Sequence, residues 1–112
     1  MNIAFQDQGG VTVARLAGRL DSATSPEAER RLSAELDRGA GFLLDLGEVE
    51  YVSSAGLRVF LVLAKKSRIS GTALALCSLR QEVAEVFDIS GFTTLFTLFP
   101  DRDAGVGALS GS

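Results

Sequence analysis

The run Gly41-Phe42-Leu43-Leu44-Asp45-Leu46 constrains the fold more than any other stretch of this chain. Its apolar residues are continuous rather than spaced by three and four, and the run is too short for an independent helix. Such a run suits a strand covered on both faces, which is the environment of a parallel sheet. Thr72 to Leu76 is a second short apolar run of the same kind. Parallel strands need long crossovers, and the intervening segments read as helices.

The first helix opens at Thr24-Ser25-Pro26-Glu27, with Thr24 as cap, Pro26 in the first turn and Glu27 at the capping-box position. Ala28, Leu32 and Leu36 form its apolar face, and Gly39 and Gly41 end it. The second begins at Ser53-Ser54, runs to about Ser67 and breaks at Ser70-Gly71. The third is capped by Ser78 with Gln81 as box partner, carries Leu79, Val83, Val86 and Phe87 on one face, and stops at Ser90-Gly91.

Asn2 to Phe5 is weakly strand-like, Gly9-Gly10 marks a turn and Val11 to Ala17 is a β-branched run, which together predict a hairpin. Gly47 to Val52 reads as a connection, Thr93 to Phe99 as a final strand, and Asp103 to Leu109 as a short terminal helix. Residues 101–112 thus form that helix and a frayed SGS tail. Residues 1–112 are expected to form a single domain. The class is α/β, a small sandwich with a mixed, mainly parallel sheet of about five strands and helices packed largely on one face.

Several chemistries are excluded by composition. Eleven basic against fourteen acidic side chains give a net charge of −3, which is not the footprint of a nucleic-acid binder. The chain has no His, so neither a Ser-His-Asp nor a Cys-His arrangement can be built. Its single cysteine, Cys77, lies in the strand-like ALALC run and reads as a buried structural residue. Neither a G-x-G-x-x-G nor a Walker A loop is present, and Glu48 and Glu50 flank what reads as a solvated loop. No metal, cofactor or catalytic group is expected, and an enzyme or nucleotide-binding protein has little support. The longest near-apolar run, Val59 to Ala64, is far short of the ~18 residues of a membrane span. No signal peptide is visible in MNIAFQDQGG. A cytoplasmic protein, monomeric or weakly dimeric, is expected.

The informative segment is Asp45 to Arg58, where Ser53 and Ser54 stand together at a helix start. One of them is expected to cap the helix. On a 100° projection with Leu57 at the origin, Leu61, Ala64, Phe60 and Leu63 occupy the expected core arc. Arg58 and Lys65 face out, and Val59, Val62 and Ile69 fall on the outward side as a candidate docking strip. The competing expectation is that neighbouring helices cover Val59 and Val62. Ser53 projects into the core arc and Ser54 to its exposed edge beside Arg58.

With Gly18-Arg19-Leu20-Asp21 upstream and Phe87-Asp88-Ile89-Ser90-Gly91-Phe92 downstream, this segment resembles the STAS domain of bacterial anti-sigma factor antagonists. The resemblance runs from the first strand to about Phe99. It implies a binding module whose partner is a serine kinase of the histidine-kinase-like ATPase fold, itself an anti-sigma factor. The unmodified antagonist captures the kinase, phosphorylation by that kinase releases it, and a metal-dependent serine phosphatase resets the switch. Carried over by position, the phosphoacceptor is Ser54, two residues before Gly56. Ser53 stands where the family often has Asp, and Ala55 where it has a second hydroxyl. Asp21 matches the acidic end of the family's second strand; its plain reading is a turn residue. Ser53, Gly56, Arg58, Val59 and Val62 complete the expected switch and docking set. The alternative is a STAS subunit of a transporter-associated or signalling assembly, in which the serine is never modified.

Overall fold

The structure, a computed structural model, describes residues 1–36, 38 and 41–110. Five strands form one sheet in sequence order: β1 (Asn2–Gln8), β2 (Val11–Leu20), β3 (Gly41–Val52), β4 (Ala73–Cys77) and β5 (Thr97–Phe99). β1 and β2 are an antiparallel hairpin turned by Gly9 and Gly10, whose φ angles of 62° and 84° need glycine. Every later pair is parallel. The crossovers carry α1 (Ser25–Glu35), α2 (Ser54–Ser70) and α3 (Gln81–Ile89). Successive right-handed crossovers that all step in one direction lay their helices on one face. That leaves the other face for the last helix, α4 (Arg102–Leu109).

Two cores follow. Under α1–α3 lie Leu16, Leu20, Phe42, Leu44, Leu46, Val49 and Val52 of the sheet, with Leu32, Phe60, Leu63 and Phe87 from the helices. The smaller core beneath α4 holds Val11, Val13, Leu43, Ala75 and Cys77, packed against Val106 and Leu109. Phe42 and Leu43 therefore point to opposite cores, as a strand covered on both sides requires. Burial also raises the Cys77 thiol pKa.

Several local expectations are corrected. β3 continues through Gly47–Val52, which had read as a connection. Its tip looks polar because Glu48, Glu50 and Tyr51 are exposed while Val49 and Val52 are buried. Two register shifts against β2 let twelve residues of β3 run beside ten of β2, bending the strand tips. The expected strand from Thr93 is shorter, because Phe92 and Phe96 are spaced by four and turn into an aromatic cluster with Phe87. A 3-10 turn at Phe92–Thr94 precedes β5 instead.

Neither of the two expected capping boxes forms. Glu27 pairs with Arg30 at 2.8 Å, and the Thr24 hydroxyl donates to the Arg19 carbonyl at 2.8 Å. Ser78 adopts a left-handed φ of 63°, and Arg80 occupies the cap position of α3. The end of α1 at Gly39 and the tail residues Gly111 and Ser112 lie outside the described residues. α4 is fastened to the sheet by Arg102, whose guanidinium donates to Asp45 Oδ2 at 3.0 and 3.2 Å. Among the described residues, no helix is long and apolar enough to cross a membrane.

Candidate functional site at the start of α2

The tips of β2 and β3 and the starts of α1 and α2 meet at one end of the sheet. The backbone sets this up. Ser53 N–H donates to the Leu20 carbonyl at 2.9 Å, carrying the β2–β3 ladder to the last residue before the helix. Ser53 then has extended dihedrals, and its Oγ accepts from Gly56 N–H at 3.3 Å. Ser53 is thus the N-cap of α2. Ser54, the first helical residue, is exposed, and its hydroxyl is left out of the cap. The doublet therefore divides its work: one hydroxyl ends the strand and begins the helix, and the other faces solvent.

Gly56 explains how close this junction is. A Cβ at this residue would lie 2.7 Å from the Leu20 carbonyl oxygen and 2.9 Å from Val52 Cγ1. Only glycine lets the first turn of α2 sit on the strand ends. A local lock holds the neighbouring β2–α1 loop. Asp21 Oδ1 accepts from the Ala23 and Thr24 amides at 3.0 and 3.1 Å. These bonds, that from the Thr24 amide foremost, hold the Asp21 carboxyl below its ordinary value of 3.8. Asp21 is thus a turn residue by contact, and its loop lies against the start of α2 through Leu20.

Between the two helix starts runs a shallow groove of about 330 Å³, with Ser22, Ser25 and Glu29 on one side and Ala55 and Arg58 on the other. Val59 lies beneath it and is only 1% exposed. This corrects the outward docking strip: Val59 is core and Val62 is half-buried, whereas Leu61, placed in the core arc, is 42% exposed. The cause is α1. The competing expectation, that a neighbouring helix covers this strip, holds for Val59: α2 packs on α1, so its buried arc rotates to Gly56, Val59, Phe60, Leu63, Ala64 and Ser67. Glycine at 56 was the usable signal, since it marks the line of closest approach. The exposed face then runs through Ser54, Arg58, Leu61, Lys65 and Arg68 to Ile69, which is 79% exposed.

A model of the STAS domain matches residues 2–105. The chain belongs to the STAS domain family. A relative from Bordetella bronchiseptica, BtrV, provisionally named an anti-sigma factor antagonist, is 40% identical over 109 residues, covering 96% of this chain and 94% of the relative. An anti-sigma F factor antagonist of Paenibacillus polymyxa is 30% identical over 112 residues, covering 98% and 93%. The fold of this STAS domain also matches the crystal structure of an anti-sigma factor antagonist from Mycobacterium paratuberculosis, with a TM-score of 0.88 at 24% identity over 96% and 92% of the two chains. Within this STAS domain the candidate site is the β2–β3 tip with the first two turns of α2. Asp21, Ser53, Ser54, Gly56 and Arg58 all belong to that end of the molecule. Among the described residues no group of carboxylate and cysteine side chains is arranged to hold a metal.

Proposed function

We propose that this STAS domain is a phosphorylation-switched anti-sigma factor antagonist acting in the cytoplasm as a binding protein, not an enzyme. Its partner is a serine kinase of the histidine-kinase-like ATPase fold that doubles as the anti-sigma factor. Unmodified, the domain sequesters the kinase. On phosphorylation the Ser54 oxygen bonds to the γ-phosphorus of ATP, the bond to the β-phosphate bridging oxygen breaks, ADP leaves and the hydroxyl proton passes to the kinase. A metal-dependent serine phosphatase restores the hydroxyl.

The observation that carries this reading is the division of labour at Ser53 and Ser54. Because Ser53 holds the cap, Ser54 is exposed and open to modification without dismantling the helix. A phosphate adds roughly −1.5 to −2 charge at neutral pH. A helix start accommodates that charge within the domain, but a packed interface over it does not. Tenfold weaker binding needs only about 1.4 kcal/mol, so a local change suffices to release a partner.

The test is to incubate the protein with ATP and candidate kinases of that fold, and to map any phosphate by mass spectrometry. Phosphate is expected on Ser54. Binding should persist in Ser54→Ala and fall at least tenfold in Ser54→Asp, with the melting temperature nearly unchanged. A Ser54→Asp protein that binds as tightly as the parent would sink the switch and favour the unmodified-subunit alternative.

A further inference from the structure

Taking Ser54 as the phosphoacceptor, we propose that Arg58 is an exchangeable cation. It is offered to a carboxylate of the partner while Ser54 is a bare hydroxyl, and it is claimed by the phosphate once Ser54 is modified. Ser54 and Arg58 are both exposed and stand four residues apart on α2, the spacing that brings helical side chains into contact. Most other guanidinium groups are engaged: Arg15, Arg30, Arg38 and Arg102 each hold an ion pair, Arg31 and Arg80 donate to the Ile3 and Gly47 carbonyls, and Arg19 stacks over Tyr51 at 4.3 Å. Arg68, exposed like Arg58, lies ten residues further along α2, beyond reach of Ser54. Among the described residues Arg58 makes no ion pair. The nearby carboxylates do not claim it: Glu29 lines the far wall of the groove, and Asp21 is held by its own loop.

The charge of α2 names the chemistry of the partner. This helix carries four of the eleven basic side chains and none of the fourteen acidic ones, in a chain whose net charge is −3. Its exposed face joins Arg58, Lys65 and Arg68 to the apolar Leu61 and Ile69. A surface complementary to it is acidic and apolar, with a carboxylate opposite Arg58. Phosphorylation then acts twice at one place. It sets a dianion before an acidic surface, and it withdraws the cation that surface was using.

The first half is tested without any kinase. Phosphoserine is placed at position 54 during translation, and the phosphate is titrated by phosphorus NMR in the parent, in Arg58→Gln and in Lys65→Gln. The second phosphate pKa should lie about 0.4 pH unit lower in the parent than in Arg58→Gln. Lys65→Gln should follow the parent. Coincident curves for the parent and Arg58→Gln overturn the pairing, whatever becomes of the kinase reading. The second half uses the kinase found to modify Ser54, bound to the unmodified protein. Arg58→Glu should weaken that complex at least tenfold while circular dichroism stays native, and raising salt should slow association. A complex indifferent to Arg58→Glu overturns the claim about the partner.

Discussion

α1 and α2 both start where a parallel strand ends, yet one start is sealed and the other is open. At α1, Asp21 takes two backbone amides, Thr24 bonds back to the Arg19 carbonyl, and Pro26 occupies the first turn. Ser25 is buried there, its hydroxyl without a partner among the described residues. At α2, one hydrogen bond from Gly56 to Ser53 forms the side-chain cap, and the next residue faces water. Two helices of the same layer thus differ in how they start: one is closed by its loop, the other exposes a hydroxyl. The closed start holds the loop against which the open one is built, and the open one presents a hydroxyl whose chemistry is free to change.

The contrast can be broken most severely at Val59, beneath the groove that joins the two starts. Val59→Asp buries a carboxylate with no partner and should cost about 3–5 kcal/mol, read by urea denaturation. Native-like stability in this variant would mean that α2 does not pack on α1 as described. Gly56→Ala comes next, because the added methyl meets backbone oxygen that cannot step aside. It should cost about 2–3 kcal/mol in the same denaturation and, under the proposed function, lower kinase binding along with stability. Ser53→Ala should remove about 1 kcal/mol by fraying the first turn of α2, measurable as faster amide exchange at Ser54 to Gly56.

Asp21→Asn sharpens the comparison by pH. The carboxyl of Asp21 titrates below its ordinary value in the fold, so its contribution is present above pH 3.8 and is lost as pH falls through the lower folded value. The parent should be the more stable protein at neutral pH, and the two melting curves should converge in acid. Parallel acid limbs would show that the Asx turn does not set the strength of the α1 start.

Much of this was legible in the residues. The run at 42–46 announced a strand covered twice, and Ser53-Ser54 announced a helix start, because both depend on local spacing. What escaped depended on neighbours distant in sequence. The phase of α2 was misread because its buried arc is set by α1, so Leu61 and Val59 exchanged places. Asp45 read only as the first residue of a motif, although its partner Arg102 stands fifty-seven residues away. The capping boxes failed because other groups competed: the Arg19 carbonyl for the Thr24 hydroxyl and Arg30 for Glu27 at α1, and a left-handed Ser78 for the chain path into α3.

The placement of α4 has a practical corollary. Leu109 sits against Gly41, where β3 begins, whereas Ser54 follows the end of that strand. A dye attached at the exposed Ser110 is therefore about 30 Å from Ser54 and beneath the opposite face of the sheet. Labelling there leaves the α2 start clear, and under the proposed function energy transfer to a tagged kinase would serve as a direct clock for its departure.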